Sequence, residues 1–255
     1  MSGTPHINGP DAFAAAFGVS RETIAKLETY SYLLTKWQKT INLVAPSTLD
    51  DIWHRHFGDS AQLLALAHAL PLDGGGKGRG GCTSAAVRDS PLPNPPPQRG
   101  REFQAIPMRW LDVGSGAGFP GLVLAILLAE TTGARMTMIE SDQRKAAFLR
   151  EVARQTRAPV DILSIRIESA ATQINLPLPE VVTARALAPL GRLLDLVFPF
   201  FGPTTVGLFL KGRDAEREIA EARQSWQFSV ELRESLTDAA ARIAIVRDVE
   251  AKSKE

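Results

Sequence analysis

Residues 109 to 121 read Arg-Trp-Leu-Asp-Val-Gly-Ser-Gly-Ala-Gly-Phe-Pro-Gly, an apolar strand-like run that ends in four closely spaced glycines. Glycine turns a backbone tightly through positive φ and lets it approach a ligand with no Cβ in the way. The apolar run Leu122 to Leu128 then supplies a helix, so the segment predicts a strand, a ligand-cradling loop and a helix in immediate succession. Such a unit commits the chain to an α/β fold with a nucleotide-like ligand at the loop. A glycine turn that binds nothing is the plainer alternative.

Gly116-Ala117-Gly118-Phe119-Pro120-Gly121 satisfies G-x-G-x-x-G, the pattern that seats a dinucleotide pyrophosphate on a helix N-terminus. The fuller pattern, Asp112-x-Gly114-x-Gly116-x-Gly118, resembles the first motif of class I S-adenosylmethionine methyltransferases. That resemblance implies a backbone wrapped around the zwitterionic methionine end of the cofactor. Nineteen residues beyond Gly121, Glu140 closes a second strand-like run, Met136 to Ile139, where a carboxylate can accept from both ribose hydroxyls. NAD enzymes place an acid similarly, so Glu140 points to an adenosine ligand without choosing between the two.

At 255 residues the chain suits one α/β domain with an appendage. Its 29 basic and 28 acidic residues leave a net charge of +1, so any nucleic-acid surface must be local. The single Cys82 excludes an internal disulfide framework, and the four histidines show no metal-ligand spacing. No apolar run approaches the length of a membrane span, and a soluble, cytoplasmic, monomeric protein without metal is expected.

Ile24, Leu27, Tyr30, Leu34, Trp37, Ile41 and Val44 recur at steps of three and four, which predicts one long amphipathic helix after a frayed start at residues 1 to 10. A second helix is expected from about Thr48 to Ala69, and residues 1–71 together form an N-terminal helical region. Residues 72–104 hold seven glycines and five prolines with no periodicity, a composition that predicts a disordered insertion. Its Lys77, Arg79, Arg88, Arg99 and Arg101 are read as solvated, with RNA contact as the alternative.

Residues 105–255 alternate strand and helix patterns in the manner of a parallel sheet. Strands are predicted near 109–113, 135–140, 160–165, 180–184, 204–211, 226–235 and 242–249, with helices near 119–131, 142–156, 189–201 and 212–224. The last two strands follow without a helix between them. The resulting class is an α/β, Rossmann-like, mostly parallel seven-stranded sheet with a terminal antiparallel hairpin. That ending is similar to class I methyltransferases and differs from a second NAD half-site.

Further pieces, in order, are Trp37 through Asn42-Leu43, Arg55-His56-Phe57-Gly58-Asp59-Ser60, Val113 through Gly121, Glu140-Ser141-Asp142-x-Arg144-Lys145-x-x-Phe148-Leu149, Ala184-Arg185-Ala186 and Leu210-Lys211-Gly212. With them the chain resembles the bacterial 16S rRNA guanine-N7 methyltransferases of the glucose-inhibited division protein B family, over roughly residues 30 to 215. Ser115, Ala117, Glu140-Ser141 and Ala184 are mild departures from that pattern. The resemblance implies methyl transfer from S-adenosylmethionine to N7 of one guanine, guanine 527 in the 530 loop of 16S rRNA, with the 30S subunit as partner.

It implies cofactor contacts at Gly114, Gly116, Phe119, Glu140, Ile167, Glu168 and Arg185, and RNA contacts at Arg55, His56, Arg185 and Lys211. Each has a plainer reading: core packing for Phe119, a solvated charge for Glu168, a surface arginine for Arg185, and a capping or interlayer hydrogen-bond network for Arg55, His56 and Asp59. Guanine N7 has an in-plane lone pair and no proton to lose, so no catalytic acid or base is expected. The competing functions are a small-molecule or protein methyltransferase, a noncatalytic ribosome assembly factor that binds the cofactor, and, more distantly, an NAD oxidoreductase.

Overall fold

The structure is a computed structural model, and it describes residues 6–70 and 108–252. The expected insertion at 72–104, with Cys82 and its five basic residues, lies outside the described residues. Three helices come first, α1 (Pro10–Phe17), α2 (Arg21–Gln38) and α3 (Asp59–Ala69). The sheet region then runs β1 (Arg109–Val113), α4 (Gly121–Leu127), β2 (Arg135–Ile139), α5 (Gln143–Thr156), β3 (Val160–Leu163), α6 (Ile167–Gln173), β4 (Val181–Arg185), α7 (Leu190–Val197), β5 (Val206–Lys211), α8 (Ala215–Ala222), β6 (Trp226–Glu234) and β7 (Arg242–Ala251).

The seven strands lie in the order β3-β2-β1-β4-β5-β7-β6. Strands β1 to β5 are parallel, whereas β7 inserts antiparallel between β5 and β6. Both faces are covered, so β1, β4 and β5 are buried almost throughout and read in the sequence as mostly apolar runs, interrupted inside only by Asp112 and Thr183, which bond each other, and by Gly207. Trp110, Val181 and Leu208 face a core built from α1 to α5, while Leu111, Val113 and Val182 face a second core built from α6 to α8. The N-terminal helices share the first core with the sheet. The order of connection reverses between β1 and β4, so a crevice opens at their carboxyl ends.

Three local readings of the sequence need correction. The α2 helix stops at Gln38, because the Gln38 amide takes over the chain that follows. Its Oε1 accepts from Leu43 N–H at 3.0 Å and Val44 N–H at 3.1 Å, and its Nε2 donates to the Val44 carbonyl at 2.8 Å. Ile41 and Val44 therefore sit in a folded-back loop although their spacing is helical. Second, the helix expected from Thr48 is preceded by a 3-10 turn at Pro46–Thr48 and winds as a π-helix over Trp53–Gly58 before becoming α3. Third, the structure adds α1 and α6 to the predicted helices; α1 is short but bounded by Pro10 at its start and a left-handed Gly18 at its end.

Candidate active site

A cleft of about 790 Å³ opens at the reversal point, within the range of small-ligand sites. Its floor is the loop after β1. Gly114 and Ser115 donate their N–H groups to the Ile139 carbonyl at 2.9 and 3.1 Å, tying the loop to the end of β2. Gly118 N–H closes back on the Ser115 carbonyl at 2.7 Å. Gly114 and Gly118 have φ of +66° and +96°, and a Cβ on Gly118 would stand 2.5 Å from the Tyr30 hydroxyl oxygen.

Glu140, 8 % exposed, has each carboxylate oxygen held by a backbone N–H: Gly116 donates to Oε2 and Asp142 to Oε1, both at 2.7 Å. Each oxygen retains a second acceptor position. Ile167 opens α6 on the opposite wall, with exposed Glu168 beside it, 3.4 Å from Arg192 across the cleft lining. Beneath the loop, Asp112 is buried. Its Oδ1 accepts from Thr183 Oγ1 at 2.7 Å, whereas Oδ2 makes no hydrogen bond of ordinary geometry among the described residues. Burial pushes this carboxyl up to about 6 against the opposing Thr183 bond.

The helical layer closes the other side through a network centred on Arg185, the last residue of β4. Arg185 Nη1 donates to Asp59 Oδ2 at 3.1 Å and to the Arg55 carbonyl at 3.2 Å, and Nη2 donates to His56 Nδ1. Its guanidinium carbon lies 5.3 Å from the centre of the Phe119 ring. Asp59 Oδ1 accepts from Gln62 at 2.9 Å and Thr237 at 3.0 Å, linking the layer to the turn between β6 and β7. Burial raises the Asp59 pKa while Arg185 opposes the rise. Burial likewise lowers that of Arg185, against the pull of Asp59.

His56 is 4 % exposed. With Nδ1 accepting from Arg185, its Nε2–H donates to Thr48 Oγ1 at 2.8 Å, which fixes the tautomer. Its ring stacks on Phe119 at 4.7 Å between centroids. Burial, then Arg185, then Arg55, push its pKa down to about 3.

These positions revise the expected contacts. His56 belongs to the interlayer network, where both ring nitrogens are engaged. Phe119 lines the cleft but is only 6 % exposed, stacked on both Tyr30 and His56, so most of its ring is packing. Lys211 donates from Nζ to Glu218 and to the Ala188 carbonyl, both at 2.8 Å, with 8 % of its side chain exposed, which leaves little of the charge for a phosphate. Arg55 is exposed at the mouth, where Lys145 and Arg166 join it in the lining; none of these three has a carboxylate partner among the described residues. Asp59 takes the interlayer-network role that its spacing to His56 offered, whereas Tyr30 and Thr48 are structural members of the site that periodicity alone did not single out as such. Among the described residues there is no metal-ligating cluster and no helix long and apolar enough to cross a membrane.

The neutral state of His56 has a measurable consequence. Its folded pKa lies below the unfolded value, so the unfolded chain binds the proton first, and the contribution of His56 to stability is lost as pH falls below about 6.5. Between pH 7.5 and 5 that loss is about 2 kcal/mol. Urea unfolding at the two pH values is expected to show a difference smaller by about that amount in His56→Asn; equal differences in the two proteins would show that His56 is not held neutral.

The sheet order, the glycine loop and the acid at the end of β2 define a class I S-adenosylmethionine-dependent methyltransferase. The O-methyltransferase from Bacillus cereus in complex with SAH is similar in fold, with a TM-score of 0.55 over 94 % of this chain and 96 % of that one at 11 % identity. Within this class the particular family is shown by sequence. The model of the rRNA small subunit methyltransferase G family matches residues 23–78 and 99–245, and the chain belongs to that family. Ribosomal RNA small subunit methyltransferase G of Parvibaculum lavamentivorans is 42 % identical over 97 % of this chain and 92 % of its own length. The protein of the same name from Rhodospirillum centenum is 46 % identical over 89 % and 84 %.

Proposed function

We propose that this protein transfers a methyl group from S-adenosylmethionine to N7 of a single guanine in 16S rRNA, guanine 527 of the 530 loop. The observation that carries the reading is the pairing, in one cleft, of an adenosine-type cradle with a cationic mouth. Glu140 offers two preoriented acceptor positions, suited to a pair of ribose hydroxyls, while Arg55, Lys145 and Arg166 stand at the rim where phosphates would approach. The choice of guanine N7, and of that guanine, rests on the family resemblance.

The residues fit the cofactor. Backbone of Gly114 and Gly116 with Glu140 would hold its ribose and methionine parts, and Ile167 would cover the adenine. When bound, S-adenosylmethionine supplies an electrophilic methyl group. The protein's own task is then positioning: N7 has no proton, and the groups that might have served as a base are engaged elsewhere, His56 with Arg185 and Thr48, Asp59 with Arg185. Recognition of the base would proceed on an unstacked nucleotide. The helical layer, sharing one core with the sheet, makes a rigid wall for that positioning.

The purified protein, incubated with labelled cofactor and either 30S particles or 16S RNA from a strain lacking the modification, is expected to label one guanine. Borohydride and aniline cleavage would map it to guanine 527. Cofactor binding without labelling of either RNA would remove the substrate assignment, and would favour a noncatalytic assembly role or a different methyl acceptor.

A further inference from the structure

Tyr30 lies in the middle of α2 and is fully buried. A phenylalanine would fill the same core position, so the hydroxyl needs its own reason, since burying it without a partner is costly. It has a partner: the hydroxyl donates a hydrogen bond to the Ala117 carbonyl, 87 positions along the chain. Ala117 stands between Gly116 and Gly118, with φ of +55° and +96°, where the backbone has the most freedom to turn over. The same peptide unit is held at its other end by Gly118 N–H on the Ser115 carbonyl, and the neighbouring Gly116 N–H is aimed at Glu140. The Tyr30 ring also stacks on Phe119 at 5.3 Å.

We infer that Tyr30 is a positioning residue of the cofactor site, whose hydroxyl fixes the orientation of the Ala117–Gly118 peptide and through it the aim of Gly116 N–H at the Glu140 carboxylate. The N-terminal helical layer is on this view part of the cofactor machinery as well as of the wall facing RNA. Two details agree. Gly118 has no Cβ where one would collide with the Tyr30 oxygen, so the third glycine of the motif is required by a residue far away in sequence. Burial holds the phenol well above its ordinary range, so the donor persists across any working pH. The inference rests on the cofactor reading given above.

The test is calorimetric titration of S-adenosylmethionine into the full chain, with steady-state methylation of the RNA substrate, for wild type, Tyr30→Phe and Phe13→Leu. Phe13 packs on Phe17 and Trp53 in the same layer and serves as a purely destabilising control. Tyr30→Phe is expected to weaken cofactor binding at least about fivefold and to raise the KM for cofactor equally, with kcat and the KM for RNA within about twofold, the signature of lost ground-state binding. Phe13→Leu is expected to lower the melting temperature and leave cofactor affinity unchanged. The inference is overturned if wild type binds and Tyr30→Phe binds within twofold of it, or if both variants weaken binding in proportion to their loss of stability. A wild-type chain that takes up no cofactor would instead remove the cofactor reading, and this inference with it.

Discussion

Replacing Arg185 by alanine is expected to lower folding stability by about 3 kcal/mol and to reduce methyl transfer by more than about tenfold at matched folded fraction. The stability loss follows from what Arg185 leaves behind. Asp59 would remain largely buried with its charge opposed only by hydroxyl and amide donors, and the guanidinium face that covers Phe119 would be gone. The loss lies at the low end for a broken buried pair because both side chains keep some solvent contact. A lysine cannot replace the fork that serves Asp59, His56 and the Arg55 carbonyl at once, so Arg185→Lys should recover only part of the loss.

The variant should also change its response to pH. Without Arg185 the Asp59 carboxyl rises further, so its proton is taken up by the folded state in preference to the unfolded one. Stability then improves as pH falls through the folded pKa. Loss of the same charge lets His56 protonate more easily in the folded state, which reduces its acid penalty and acts in the same direction. The gap between wild type and Arg185→Ala is therefore expected to narrow between pH 7.5 and 5.5 in urea unfolding. A constant gap would mean that Asp59 is not the group left exposed to the deletion. Cofactor affinity of the same variant separates its two imaginable roles: unchanged affinity with lost transfer places its effect on the RNA side.

The strands were legible because β1, β2, β4 and β5 are largely buried on both faces and show as short, mostly apolar runs, and the predicted and observed strand ends agree within about two residues. Helix boundaries in the first layer were not, since Ile41 and Val44 keep a helical spacing while the Gln38 side chain, beyond the last helix-type bond from Ile41 N–H to the Trp37 carbonyl, takes up the backbone of Leu43 and Val44. The short α6, Ile-Glu-Ser-Ala-Ala-Thr-Gln, has no side-chain N-cap and too few apolar residues to mark a period. In the site, the loop and Glu140 were readable because the motif is contiguous and its spacing to the acid is fixed by one strand and one helix. The links from Tyr30 to Ala117 and from Asp59 to Arg185 cross 87 and 126 positions, and no local pattern encodes them. Lys211 looked free at a strand end because its partner, Glu218, comes from the helix that follows the next turn.

Gly118→Ala is expected to weaken S-adenosylmethionine binding by about 30-fold or more, with a smaller effect on folding. Two costs add. At φ of +96° an alanine is outside the ordinary left-handed region, a strain of about 1–3 kcal/mol. Its Cβ would also meet the Tyr30 oxygen at 2.5 Å and the Leu122 and Leu149 side chains at 3.0 Å, all in the first core. A tightly packed core yields less readily than a loop, so the loop should move, and with it the Gly116 N–H that meets Glu140. Gly116→Ala is the contrast. Its φ of +55° is one that alanine reaches at modest cost, and the nearest atom to its Cβ is 3.8 Å away, so folding should be little changed. If the Tyr30 oxygen is the dominant obstacle, adding Tyr30→Phe to Gly118→Ala should cost less than the sum of the two single losses in a cofactor titration. Strict additivity would put the damage in backbone strain alone, and Gly118→Ala binding within threefold of wild type would show that the loop is not held as tightly as these contacts imply.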